Sequence, residues 1–204
     1  MIAKLSDSYL DRSNSDFLAR EWLGNALRDN RNADVAAMYR EALRLKPEDG
    51  VLLCELAFMR EKMGNVPQAI KDYREIVHRP DQLGVSGLTH QEVDANRTSL
   101  LALAHRRLGE TLIRLGETQW PSGIDELRSA VHLKPSDPDY LMSLSDGHYN
   151  THRFAEAAVE YREVISVASD SKATQAAAQA KLHQAEQQAK LRPSGPADQA
   201  IAGL

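Results

Sequence analysis

One phrase in this chain comes back at a fixed distance. "AMYREAL" spans residues 37–43, "DYREIV" begins at 72 and "EYREVI" at 160. The tyrosines Tyr39 and Tyr73 stand 34 residues apart, and Tyr73 and Tyr161 stand 88 apart, which is two such periods plus twenty residues. A second phrase locates the missing copy. "RLKPED" places Pro47 eight residues after Tyr39, and "HLKPSD" places Pro135 eight residues after Leu127, in "IDELRSAV". Leu127 lies 34 residues before Tyr161, so the chain carries four units with about twenty extra residues between the second and the third. A period of this size means that the chain folds as stacked copies of one small motif, each burying its apolar face on its neighbours.

Each unit reads as two helices. "GVLLCELAFMREKMGN" sets Leu53, Leu56, Ala57 and Met63 at helical spacing and stops at Gly64-Asn65, a pair suited to a left-handed helix end. "VPQAIKDYREIV" then opens with Pro67 in a first turn, where its missing N–H is no loss, and aligns Ala69, Tyr73 and Ile76. The third unit repeats this grammar with Gly116 and Pro121, and the fourth aligns Phe154, Ala157, Tyr161 and Val164. Aromatic content of only 5%, with abundant Ala, Leu and Glu, agrees with an all-helical chain.

These residues resemble the tetratricopeptide repeat. Its unit of about 34 residues has small residues at the eighth and twentieth positions, a glycine near the turn between its helices, an aromatic at the twenty-fourth position and a proline near the end. Here the eighth position reads Gly24, Ala57, Gly109 and Ser145, and the twentieth reads Ala36 (one residue out of step), Ala69, Gly123 and Ala157. Tyr39, Tyr73, Leu127 and Tyr161 fill the twenty-fourth. The first unit is one residue short, the third has two extra residues around Trp120, and His152 replaces the turn glycine of the fourth. The resemblance implies an all-α, right-handed α-solenoid of helix-turn-helix repeats over 16–170, divided at about 16–49, 50–80, 89–137 and 138–170.

The flanks have their own patterns. Residues 1–15 form a lead segment in which Ile2, Leu5 and Tyr9 fit one short helix, and 171–190 form a capping helix with a stripe of Ala178, Leu182, Ala185 and Ala189. Residues 191–204 lack a packing pattern and read as a mobile tail. The inserted stretch reads as a loop over 80–88, broken by Gly84 and Gly87, and Thr89 with Glu92 then makes a capping box for one long helix over about 90–115. Leu83, Val85 and Leu88 are apolar loop residues that must cover a neighbouring surface or meet a partner.

Chemistry-bearing constellations are sparse. His148 and His152 have metal-ligand spacing but no third ligand, so no metal and no cofactor is expected. No glycine-rich phosphate loop follows a strand, and no Ser, His and Asp fall into a nucleophile–base order, so the chain does not read as an enzyme. A net charge of −4 and a pI near 6.0 oppose general nucleic-acid binding, and Arg106, Arg107 and Arg114 form a basic patch diluted by Glu110 and Glu117. Cys54 is the single cysteine, which leaves no disulfide to form within the chain. No apolar run reaches the ~18 residues of a membrane span, and "MIAKLSDSYLDRS" lacks the apolar centre of a signal peptide, so a cytoplasmic protein without membrane contact is expected.

In such a solenoid, positions five, nine and twelve of each first helix share one face and line the concave wall. They are Glu21, Asn25 and Arg28, then Cys54, Phe58 and Glu61, then Arg106, Glu110 and Ile113, then Met142, Asp146 and Tyr149. The expected function is a protein–protein interaction scaffold or adaptor that binds a partner segment there, with self-association a further outcome. A chaperone-linked assembly factor is the alternative. Against it, the relatives that clamp a chaperone's terminal carboxylate use Lys and Asn where this chain has Glu21 and Glu55, and two acids repel a carboxylate.

Overall fold

Helical periodicity becomes eight helices in the computed structural model, which describes residues 32–85 and 89–191. Lead-segment residues Ile2, Leu5 and Tyr9, wall residues Glu21, Asn25 and Arg28, and loop residue Leu88 lie outside the described residues. Of 191–204 only Leu191 is described, as a helical residue. The chain divides into two units, residues 1–100 and 101–204.

The first unit contains α1 (Asn32–Leu45), α2 (Gly50–Lys62), α3 (Val66–His78), a short 3-10 turn (Pro80–Gln82) and the first part of α4 (His90–Arg114). Asp49 starts α2 because its side chain accepts the N–H groups of Val51 and Leu52, both at 3.1 Å. Gly64 ends that helix in the left-handed region at φ 81, and Asn65 N–H closes the turn on the Arg60 carbonyl at 2.8 Å. Val35, Ala36, Leu56 and Met59 form the core between α1 and α2, with Tyr39, Leu43 and Phe58 packed against it. Ala69, Tyr73 and Ile76 bury the inner face of α3.

The inserted loop is pinned to this unit. Gly84 N–H donates to the Glu48 carbonyl at 2.6 Å, and Gly50 N–H donates to the Gly84 carbonyl at 3.1 Å, a parallel bridge between Asp49 and Gly84. Leu83, only 7% exposed, lies against Gly50, and Val85 is half-buried. Leu83 thus packs within its own unit and covers a neighbouring surface of the chain. Thr89 and Glu92 then exchange hydrogen bonds at 3.1 and 3.2 Å and start α4, whose 25 residues run unbroken to Arg114.

The second unit contains the rest of α4, a 3-10 turn (Glu117–Gln119), α5 (Trp120–Leu133), α6 (Pro138–Asn150), α7 (Phe154–Val167) and α8 (Lys172–Leu191). The 3-10 turn holds the two extra residues near Trp120, whose indole N–H donates to the Ile113 carbonyl at 3.2 Å. Close approach of α4 and α5 depends on two glycines. A Cβ on Gly109 would lie 2.7 Å from the Gly123 carbonyl oxygen, and one on Gly123 would lie 3.0 Å from that of Gly109. Ile113, Ile124, Leu127 and Leu144 form one core cluster, and Ala157, Ala158, Tyr161, Leu182 and Ala185 form another. His152 takes the left-handed turn position at φ 64, and Arg153 N–H closes that turn on the His148 carbonyl at 2.8 Å.

Candidate functional site

The predicted wall residues divide by burial. In the first unit Cys54 is 3% exposed and belongs to the core. Phe58 is half-buried against the α1–α2 core with the Lys62 ammonium 5.1 Å from its ring centre, and Glu61 accepts the Tyr73 hydroxyl at 3.3 Å. In the second unit Ile113 is 8% exposed and Met142 is half-buried. Tyr149 meets Phe154 edge-on at 5.2 Å. Cys54 therefore offers structure more than reach, because i, i+4, i+7 spacing fixes a helix face but not how deeply the next helix covers it.

Within the second unit three of the wall residues, Glu110, Ile113 and Asp146, help line a recess of about 200 Å³. Glu110, Ile113 and Arg114 of α4, Leu127 of α5, and Ser143, Asp146, Gly147 and Asn150 of α6 line it. Ile113 and Leu127 supply apolar surface, whereas Glu110 and Asp146 bring carboxylates and Ser143 and Asn150 bring neutral polar groups. The Ser143 hydroxyl donates to Glu110 at 2.9 Å. Arg106 stands farther off, its Nε 4.0 Å from Glu110 and its guanidinium 5.3 Å from the Tyr140 ring centre.

Asp146 is the most connected of these groups. It accepts the Tyr161 hydroxyl at 2.6 Å, and the Lys181 ammonium of α8 lies 2.8 and 2.6 Å from its two oxygens. Burial, and then the hydrogen bond to Asp146, hold the Tyr161 hydroxyl far above tyrosine's ordinary range. Tyr161 thus remains a neutral donor that orients the carboxylate on the recess wall.

A recurring acid escaped the sequence reading. Asp72, Glu126 and Glu160 each immediately precede the residue at the twenty-fourth position. Each acid meets a base from the first helix of its own pair. Arg60 pairs with Asp72, His105 Nδ1 lies 2.7 Å from Glu126, and His148 Nδ1 lies 2.8 Å from Glu160. The 34-residue spacing from Glu126 to Glu160 was the available signal. His148 is engaged in this pairing and His152 packs on Trp120 at 5.4 Å, so the two histidines serve separate contacts. Among the described residues no group of three or more His, Cys, Asp or Glu could hold a metal ion, and no helix is long and apolar enough to cross a membrane.

Helix pairs of this length, closed by left-handed turns and packed through small residues, define an all-α helix-pair repeat protein. Yeast Tom70 is similar in structure at a TM-score of 0.64 and 18% identity, over 88% of this chain and 34% of that one. This chain thus spans about a third of the Tom70 chain's length. A thermophilic TPR protein from Thermus thermophilus aligns at a TM-score of 0.40 and 18% identity, over 78% of this chain and 95% of that one. No family model and no curated protein sequence matches the chain. The chain is tetratricopeptide-like in fold.

Proposed function

We propose that the chain is a protein-interaction scaffold that holds a segment of another protein in the recess between α4 and α6. The carrying observation is the composition of that recess: apolar Ile113 and Leu127 beside the polar groups of Glu110, Arg114, Ser143, Asp146 and Asn150. Such a surface suits a side chain with an apolar stem and a hydrogen-bonding head, the usual anchor of a bound peptide. A photo-crosslinking residue in place of exposed Asn150, compared with one in place of exposed Glu163 on α7, tests the reading. The expected result is a discrete crosslinked protein from position 150 that is absent from position 163. Equal labelling from both positions would remove the recess as the binding site.

A further inference from the structure

A recess of about 200 Å³ has room for one side chain, being smaller than the roughly 300–1,000 Å³ of pockets that enclose a whole small molecule. Which side chain it suits follows from the hydrogen bonds already made there. Both oxygens of Asp146 are taken: the Tyr161 hydroxyl donates at 2.6 Å, and the Lys181 ammonium lies at 2.8 and 2.6 Å. The Ser143 hydroxyl gives its proton to one oxygen of Glu110 at 2.9 Å. The other Glu110 oxygen accepts from no described residue, and the side-chain amide of exposed Asn150 is bonded to none. Two groups therefore stand open: an oxygen that only accepts, and an amide that both donates and accepts.

Charge narrows the choice. Lys181 serves Asp146 as a counter-ion, Arg114 lines the recess one turn along α4 from Glu110, and Arg106 Nε stands 4.0 Å from that carboxylate. A basic head would satisfy the open oxygen, yet the two carboxylates already face three cations, so no net negative charge draws a fourth. An acidic head would find Arg114, but at Glu110 it would set acceptor against acceptor with no proton between them. An uncharged head with N–H donors avoids both costs. A carboxamide has two N–H donors and a carbonyl, which complements an open carboxylate oxygen and an open amide.

We infer that the recess is a subsite for a glutamine side chain of the partner segment. The methylenes of that glutamine lie on Ile113 and Leu127, and its amide donates to Glu110 and pairs with Asn150. Lys181 turns the site against lysine and arginine by occupying Asp146 from α8, and is a specificity-determining residue outside the recess itself. This inference rests on the scaffold reading and names the anchor of the same site.

The probe is a random heptapeptide library displayed on phage and panned against the immobilised full chain. Recess-dependent clones are those that wild type retains and Asn150→Trp loses, with circular dichroism and thermal melting certifying that variant as folded. The expected result is a recess-dependent set that shares a glutamine. In a synthetic peptide from that set, glutamine to methionine keeps the stem and removes the amide. Fluorescence anisotropy should then show binding weakened about tenfold or more, as for a lost hydrogen bond to a charged group. Glutamate or lysine at the same place should weaken it at least as far. Lys181→Met removes the ammonium from Asp146, so the lysine peptide should recover about tenfold on that variant. A wild-type set led by acidic or basic residues, or a methionine peptide that binds as tightly as the glutamine one, overturns the proposal. A lysine peptide indifferent to Lys181→Met overturns it too, as does the absence of any recess-dependent clone. If position 150 still captures a discrete protein after such a failure, the glutamine anchor alone has fallen. If that capture fails as well, the scaffold reading of the recess falls with it.

Discussion

Gly109→Ala sets two effects of known size against each other. Replacing glycine by alanine within a helix should stabilise α4 by about 1 kcal/mol, because glycine loses more backbone freedom on folding. The new methyl, however, would stand 2.7 Å from the Gly123 carbonyl oxygen and 2.8 Å from Cγ of Leu127. Favourable contacts between non-bonded heavy atoms lie at about 3.5–4.0 Å, so α4 and α5 must part by roughly an ångström. A flexible side chain could swing away, but the carbonyl belongs to the backbone of α5. Overpacking of this kind costs about 1–3 kcal/mol, and a backbone obstacle places it in the upper half of that range. The net expectation is a loss of about 1–2 kcal/mol, or a fall in melting temperature of about 2–8 °C for a chain of this size. Thermal unfolding followed by circular dichroism at the helical band reads this directly. Gly123→Ala should behave alike, and the double variant should lose less than the sum, because helices already separated by one methyl admit the second. Gly64→Ala is the control: its Cβ meets nothing within 4 Å, so only the left-handed backbone at φ 81 is charged, about 1 kcal/mol. A Gly109→Ala protein that melts at or above wild type would refute the close-approach argument.

The turn at His152 predicts a ranking. Because its φ is 64, His152→Gly should exceed His152→Val in stability by about 1–2 kcal/mol, and equal melting of the two would show that the turn is not left-handed. Arg60→Ala strands the buried carboxylate of Asp72 and should cost about 3 kcal/mol in urea unfolding, whereas Arg60→Met with Asp72→Leu should come close to wild type. If the double variant is as unstable as Arg60→Ala, the loss has another origin than an unpaired charge. Leu83→Ala should cost about 2–4 kcal/mol, because the loop residue is core, and Val85→Ala should cost under about 1 kcal/mol. Equal and small effects at both positions would detach the loop from the unit it covers.

The repeat was legible because stacking copies of one motif imposes a period that a few anchor residues betray. Tyr73, Tyr161 and Leu127 are all buried at the same place in their helix pairs, and their spacing revealed it before any packing was known. Turn chemistry was equally local: Asn65 follows a left-handed glycine, and Thr89 and Glu92 need only each other. The recess was less legible. Its formation depends on how far α6 stands from α4, and that distance is set by Gly109, Gly123 and Gly147, which display no side chain to signal it. The partners of Asp146 were illegible for another reason. Lys181 lies 35 residues away on a helix whose polar side reads as solvent-facing, and no local pattern links the two. Cys54 and Ile113 shared the helical phase of exposed wall residues, but coverage by neighbouring helices decided their burial.

The bridge between Asp49 and Gly84 uses backbone atoms alone. It encloses α2 and α3 completely, so the second helix pair sits in a closed ring of chain tied without a covalent bond. Open-ended repeat arrays unravel from their termini one unit at a time. A ringed pair has no free end to peel, and it must either open its tie first or come apart as a block. Truncating Leu83 reads the packing beside the tie, whereas the two hydrogen bonds themselves are written in amides and become visible in the protected amide protons of Gly50 and Gly84.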